Sequence, residues 1–184
     1  MDDLRLLERM RRGDEDAFAA LFAAYHPPIF RYAAQMCGAA SADDVVQETF
    51  MALLRQSHGY DPARGSLRNY LFGISRHHVA KRVALTRPES AMDDEDAFTA
   101  PDVTPFDDVN RAEVVGAVRA AIKSLPTAYR EVVVLCELEE MDYAGAAAVI
   151  GCPVGTVRSR LHRARALLAS KLEAMRQTET VTKS

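Results

Sequence analysis

Tryptophan is absent from this sequence of 184 residues and aromatic side chains make up only 7% of it, yet its 48% hydrophobic and 27% charged residues are ordinary for a folded protein. That balance excludes a collagen-like or wholly disordered chain. Cysteine is scarce. Cys37, Cys136 and Cys152 are odd in number, far apart and in no C-x-x-C pair, which argues against a disulfide framework and against a thiolate zinc site. No stretch approaches the ~20 apolar residues that a membrane span needs. Residues 1–12 mix acids and bases without an apolar core segment, so neither a signal peptide nor membrane insertion is expected, and the expected location is cytoplasmic. Catalytic patterns are missing as well. His26, His58, His77, His78 and His162 show no H-E-x-x-H spacing, and no G-x-x-x-x-G-K-[ST] phosphate loop occurs. The clustered carboxylates near residue 95 lack the glycine of a calcium loop. The expectation is a protein without catalytic residues, metal ligands or cofactors.

What is present is unevenly distributed. The formal net charge of -3 resolves into +2 over residues 1–87, -8 over 88–113 and +3 over 114–184. The acidic middle carries Pro88, Pro101 and Pro105 and the run Asp93-Asp94-Glu95-Asp96, with no sustained apolar period. Such a stretch buries too little apolar surface to offset the entropy of ordering it, so 88–108 is predicted to be a flexible linker. The expected organisation is a first domain over 1–87, the linker, a second domain over 109–175 and a flexible tail over 176–184.

Period-2 alternation is absent, whereas apolar residues recur at i, i+3 and i+4 throughout, predicting an all-α fold of two small helical domains. Asp14 can cap a helix bearing Phe18, Leu21, Phe22 and Tyr25, which Pro27-Pro28 should break or kink before a second run of Ile29, Tyr32, Ala33 and Met36 up to Gly38. Ser41-Ala42-Asp43-Asp44 resembles a capping box opening a helix with Val46, Phe50, Leu53 and Leu54 inward. Residues 60–65 read as a loop. Ser66 caps a helix carrying Leu67, Tyr70, Leu71, Ile74 and His78 to about Leu85. Beyond the linker, Val109, Ala112, Val115, Val118 and Ile122 mark a helix, and Pro126 suits the first turn of the next. A short helix to Ile150, a turn at Gly151-Cys152-Pro153 and a longer basic helix to about Met175 follow, the pattern of a helix-turn-helix.

The last helix carries the strongest functional signal. Val157, Leu161, Ala164 and Leu168 fall at steps of four, three and four, which buries one stripe and turns Thr156, Arg158, Ser159, Arg160 and Arg163 outward. This donor-rich set suits phosphates and guanine edges: Arg158, Ser159 and Arg160, near the N-terminus, are placed for base readout, and Arg163 and Arg165 for the backbone. No acid occurs from Val154 through Ser170, so i, i+4 pairing within the helix cannot neutralise these cations and a polyanion is the expected partner.

Leu125-Pro126-x-x-Tyr129-Arg130-Glu131-Val132, followed by Gly151-Cys152-Pro153-Val154-Gly155-Thr156-Val157-Arg158-Ser159-Arg160-Leu161-His162-Arg163-Ala164-Arg165, resembles the fourth conserved region of extracytoplasmic-function (ECF) sigma factors, the promoter-specificity subunits of bacterial RNA polymerase. Asp14-x-x-Ala17-Phe18-x-x-Leu21-Phe22-x-x-Tyr25 and Ala42-Asp43-Asp44-Val45-Val46-Gln47-Glu48-Thr49-Phe50 resemble the second region of that family. The resemblance implies core RNA polymerase and promoter DNA as partners and allows an anti-sigma factor. It assigns Asp43, Asp44, Gln47 and Glu48 to polymerase docking. It assigns the segment from Tyr60 to Arg68, with Asn69, Tyr70, Arg76, Lys81 and Arg82, to opening of the downstream, minus-ten element, and the basic helix to the upstream, minus-thirty-five element. Many members have Trp where Tyr70 stands, and Asn and Asp where His77 and Lys81 stand, so downstream specificity does not transfer.

A stand-alone helix-turn-helix regulator acting as a dimer would account for the second domain equally well. The first domain discriminates, since such a regulator has no need of Asp43-Asp44-x-x-Gln47-Glu48 followed by a basic, aromatic-bearing helix. The 21 residues of 88–108 would span roughly 25 Å as a coil and ~70 Å when stretched. Limited proteolysis should therefore cut first between Ser90 and Thr104, and resistance of that segment beyond its flanks would contradict a linker.

Overall fold

A computed structural model describes residues 2–86 and 111–182. The segment expected to be the linker, 88–108, lies outside the described residues, as do Val109, Lys183 and Ser184. No strand occurs among the described residues. The helices are α1 (Asp3–Arg11), α2 (Glu15–Cys37), α3 (Ala39–Gln56), α4 (Leu67–Thr86), α5 (Arg111–Lys123), α6 (Thr127–Val133), α7 (Tyr143–Ile150) and α8 (Val154–Thr182). In the first lobe α2 packs against α1, α3 and α4, and in the second α8 packs against α5, α6 and α7. α4 also lies along α7, so the buried residues of both lobes join in one apolar cluster.

The first lobe grows from its caps. Asp14 accepts a hydrogen bond from the Ala17 amide at 3.0 Å, which starts α2 as its sequence predicts. Pro27 and Pro28, expected to break or kink this helix, lie inside a single 23-residue element. Each proline removes one backbone donor, but Tyr25, Ile29, Tyr32, Ala33 and Met36 are all buried, and their packing holds the helix across the gap. Gly38, at φ +90°, separates α2 from α3 in a conformation that an L side chain rarely adopts. α3 thus begins at Ala39, and Ser41 lies within it rather than capping it. Val46, Phe50 and Leu53 are buried as expected, but Leu54 is 47% exposed, because Leu53 already occupies the inward position and the helix turns about 100° per residue. Ser66 Oγ accepts from the Asn69 amide at 3.2 Å and opens α4. Phe72, Ser75 and Val79 are buried besides Leu67 and Leu71, since α4 is covered from more than one side.

In the second lobe Pro126 stands just before α6, whose last turn runs on into a π-turn, Val134–Leu138, closed by the Glu139 amide on the Val134 carbonyl at 2.9 Å. Nothing in the apolar run Val132–Leu135 announces that wider turn. Glu140 follows at φ +51°, a left-handed conformation that costs a non-glycine residue roughly 1 kcal/mol. α8 continues to Thr182, so the tail expected from residue 176 is helical through 182. No glycine or proline follows Met175 to stop it.

Leu71 is fully buried and Leu54 is largely exposed. Leu71→Ala should lower unfolding free energy by ~2–5 kcal/mol, and Leu54→Ala should change it by no more than about 0.5 kcal/mol, as read by urea denaturation.

Candidate nucleic-acid interface

α7, its turn and α8 form the helix-turn-helix. Asp142 caps α7 by accepting from the Gly145 amide at 2.6 Å. Gly151 ends it in the left-handed region, φ +77°, with its amide on the Ala147 carbonyl at 2.9 Å. A side chain with a β-carbon would strain this turn, and the turn sets the direction in which α8 departs. Val157, Leu161 and Ala164 are buried, and Arg158, Ser159, Arg163 and Arg165 lie on the exposed side, with Thr156 and Arg160 half-buried. The Arg158 guanidinium sits 6.0 Å from the centroid of the Tyr143 ring, which restricts a side chain that would otherwise sample many rotamers. Arg165 pairs with Glu137 at 2.5 Å, an acid donated by the π-turn and therefore invisible to a search along α8 itself.

The residues of α4 assigned to the minus-ten element divide into two groups. Asn69 and Tyr70 line a cleft of about 400 Å³ together with Gly59, Tyr60, Ile74 and Ala148. Tyr70 donates to the Gln56 carbonyl at 3.2 Å, and its ring centroid lies 5.4 Å from that of Tyr60. Arg76 instead reaches into the second lobe, with Nε 2.8 Å from Glu131. Lys81 is exposed. Arg82 bonds Asp44 at 2.7 Å and Glu48 at 3.2 Å, and Glu48 also lies 3.0 Å from His78 Nδ1. The structure therefore joins two groups kept separate in the sequence, the acidic residues assigned to polymerase and a cation assigned to DNA. Burial holds the His78 imidazole pKa below its usual value against the opposing pull of Glu48. Asp43 and Gln47 face outward beside this network.

Six residues, none of whose partners the sequence indicated, organise the contact between the lobes. Arg31 of α2 makes a bidentate pair with Glu139 at 2.8 and 2.7 Å. Arg68 donates to the Glu139 backbone carbonyl and stands 3.9 Å from its carboxylate. Glu131 takes Arg76 and also accepts from the buried Tyr32 hydroxyl at 3.0 Å. The Glu139 side chain is 0% exposed, and its burial raises the carboxyl pKa even though Arg31 pulls it down. Burial likewise holds the Tyr32 hydroxyl well above its usual pKa, with the Glu131 charge adding to the effect. The one sequence cue was Glu131 itself, an acid placed directly before an apolar run. All three cysteines are free, and burial pushes Cys136 up to about 11.

Helical throughout its described residues, with a basic helix-turn-helix in one lobe and an acidic α3 face beside an aromatic-bearing α4 in the other, the chain has the features of a two-region transcription factor of the sigma-70 type. Family descriptions bear this out: Sigma-70 region 2 matches residues 21–89, and Sigma-70, region 4 matches residues 116–168. The ECF RNA polymerase sigma factor SigC of Mycobacterium tuberculosis is 37% identical over 169 residues, covering 86% of this chain and 85% of that protein. SigW of Bacillus subtilis is 29% identical over 177 residues, covering 90% and 94%. Among solved structures, CnrH in complex with the cytosolic domain of CnrY aligns with TM-score 0.71 at 29% identity, over 94% of this chain and 97% of that one. The sigma factor RpoE of Bartonella quintana, in complex with the anti-sigma factor NepR, shares the fold at TM-score 0.66 and 24% identity, over 85% and 96%. The chain belongs to the ECF sigma factors of RNA polymerase. It binds core polymerase and directs promoter recognition and transcription initiation. A stand-alone dimeric regulator would explain region 4 only, and the match to region 2 disfavours it.

Arg158, Arg160 and Arg163 of α8 amount to about three cations that could exchange their present contacts for a DNA backbone, besides Arg165, which pairs with Glu137. Binding of double-stranded promoter DNA by the isolated protein should be weak, with log K falling against log salt at a slope near about -2.7. Titration by fluorescence anisotropy checks this, and tight binding with a flat salt response would contradict it.

Proposed function

We propose that the two lobes divide the work of initiation as their surfaces suggest. Residues 109–175 take the upstream promoter element as a duplex, with Thr156, Arg158, Ser159 and Arg160 toward the bases and Arg163 toward phosphates, Arg165 joining them when Glu137 lets go. Residues 1–87 dock on polymerase through Asp43, Asp44, Gln47 and Glu48 and handle the downstream element through α4. The observation that supports this most is the outward basic face of α8, built on a buried stripe and free of acids over residues 154–170. The cleft beside Asn69 and Tyr70 has the size and the aromatic wall to accept an unstacked base.

In this role the protein breaks no bond and needs no cofactor: transition-state chemistry belongs to polymerase, and the sigma factor contributes binding free energy and position. It acts in the cytoplasm, where polymerase works; among the described residues no helix is long and apolar enough to cross a membrane. An anti-sigma factor is a further proposed partner, in keeping with the complex with the anti-sigma factor NepR in which the structurally similar RpoE was solved.

The two surfaces separate by mutation. Losing a good guanine contact costs about 1–3 kcal/mol, so Arg160→Ala should weaken upstream-element recognition roughly ten-fold while polymerase binding survives. Asp44→Ala with Gln47→Ala should impair polymerase binding by ~2 kcal/mol. Asp44 does not cap α3, so helicity by circular dichroism should not change. In run-off transcription, excess core enzyme should rescue the docking variant and leave Arg160→Ala defective. Equal rescue of both would contradict the division.

A further inference from the structure

We propose that Tyr143, the first residue of α7, is a positioning residue for promoter readout: its ring holds the Arg158 guanidinium ready for the bases that α8 meets. Upstream-element specificity then depends on a side chain of the supporting helix as well as on those of the recognition helix. The inference rests on the role given above to the N-terminal half of α8 and names the group that prepares it.

Three observations carry it. Arg158 is exposed on α8, and its guanidinium carbon stands 6.0 Å from the centroid of the Tyr143 ring, within reach of a cation–π contact. A free arginine loses much rotamer freedom when it grips a base, and one already held over a ring loses less. The second observation is that the ring is itself fixed. Tyr143 is half-buried and packs against the apolar cluster, directly after the Asp142 cap that receives the Gly145 amide at 2.6 Å. Its hydroxyl lies beside Arg165, whose pKa stands above the usual value chiefly through Glu137, with Tyr143 adding to the effect. Glu137 holds Arg165 in turn, accepting from Nε at 3.1 Å and from a second guanidinium nitrogen at 2.5 Å. A chain of contacts thus runs from the π-turn through Arg165 and Tyr143 to Arg158. The third observation is spacing. Arg158 and Arg165 are two turns apart, about 10 Å along one face of α8, so a single tyrosine docked between them reaches both. Arg158 remains open to solvent, and so to DNA.

The test uses the full chain in complex with core polymerase and, as probe, a library of random-sequence duplexes, with the bound duplexes read by sequencing. Arg158→Ala should flatten the preference at the base pair that Arg158 reads. Tyr143→Leu, which keeps an apolar side chain but no ring, should weaken the preference at that same base pair about three-fold and leave the other positions as in wild type. It should also leave the salt slope unchanged, because no cation is removed. Tyr143→Phe keeps the ring and should retain the wild-type preference. Tyr129→Leu makes the same change at another half-buried tyrosine of the second lobe and should alter no position. Tyr143→Leu with wild-type selectivity, or with a loss spread evenly over all positions as a merely structural side chain would give, overturns the proposal and leaves the role of α8 standing. Tyr143→Phe behaving like Tyr143→Leu overturns it too. If Arg158→Ala changes no preference, the role given to α8 fails and the proposal falls with it. Should Tyr143→Leu not fold, nuclear magnetic resonance relaxation on the wild-type chain decides. The Arg158 Nε–H bond should then be more restricted in its motion than that of Arg119, exposed on α5, and equal mobility overturns the proposal.

Discussion

A buried carboxylate must find a cation or lose its charge, and among the described residues Glu139 and Glu131 find theirs across the contact between the lobes. Much else follows from that constraint. The π-turn and the left-handed Glu140 place Glu139 where Arg31 and Arg68 can reach it, and Glu131 meets Tyr32 and Arg76 one helix earlier. Meeting these groups brings α7 against α4, and the apolar cluster then continues from one lobe into the other. Removing one partner of such a pair costs several kcal/mol because the other charge is left stranded, whereas replacing both can cost nothing. The pairs thus specify one arrangement more than they stabilise the fold.

The same logic of shared charge appears at the far end of α4. Arg82 and His78 share Asp44 and Glu48, so the surface proposed for polymerase and the helix proposed for the promoter are held by a common set of ion pairs. These groups are partly exposed, so water screens each pair and none contributes much to stability. Contacts that weak are suited to exchange: a partner that takes Asp44 releases part of Arg82. In the second lobe Arg165 and Glu137 stand in the same relation. Several of the cations assigned to DNA are thus held by acids of the same chain.

How legible this was in sequence depended on how local each cause is. The stripe Val157, Leu161, Ala164 could be read because it repeats within one helix, and the caps at Asp14 and Ser66 because capping spans three residues. The continuity of α2 through Pro27-Pro28 could not, since it depends on side chains packed against α1, α3 and α4. The capping box at Ser41 was misplaced because Gly38 does the work of starting α3 by its backbone alone. Leu54 turned outward for want of room beside Leu53, and α8 ran on past Met175 for want of a stop signal. As for the site, the residue types on α8 and α4 were legible, but their partners were not. Glu139 lies 108 positions from Arg31 and Glu131 lies 55 from Arg76, and no periodicity connects residues so far apart.

Lobes joined by these ion pairs should stay together until polymerase is engaged. Pulsed electron resonance on a cysteine-free chain spin-labelled at the exposed positions Ala80 and Ala169, with and without core polymerase, addresses this directly. A single narrow distance distribution for the free protein, replaced by a longer one on addition of core enzyme, is the predicted result. A broad distribution in the free protein, or the same narrow one in both states, would contradict it.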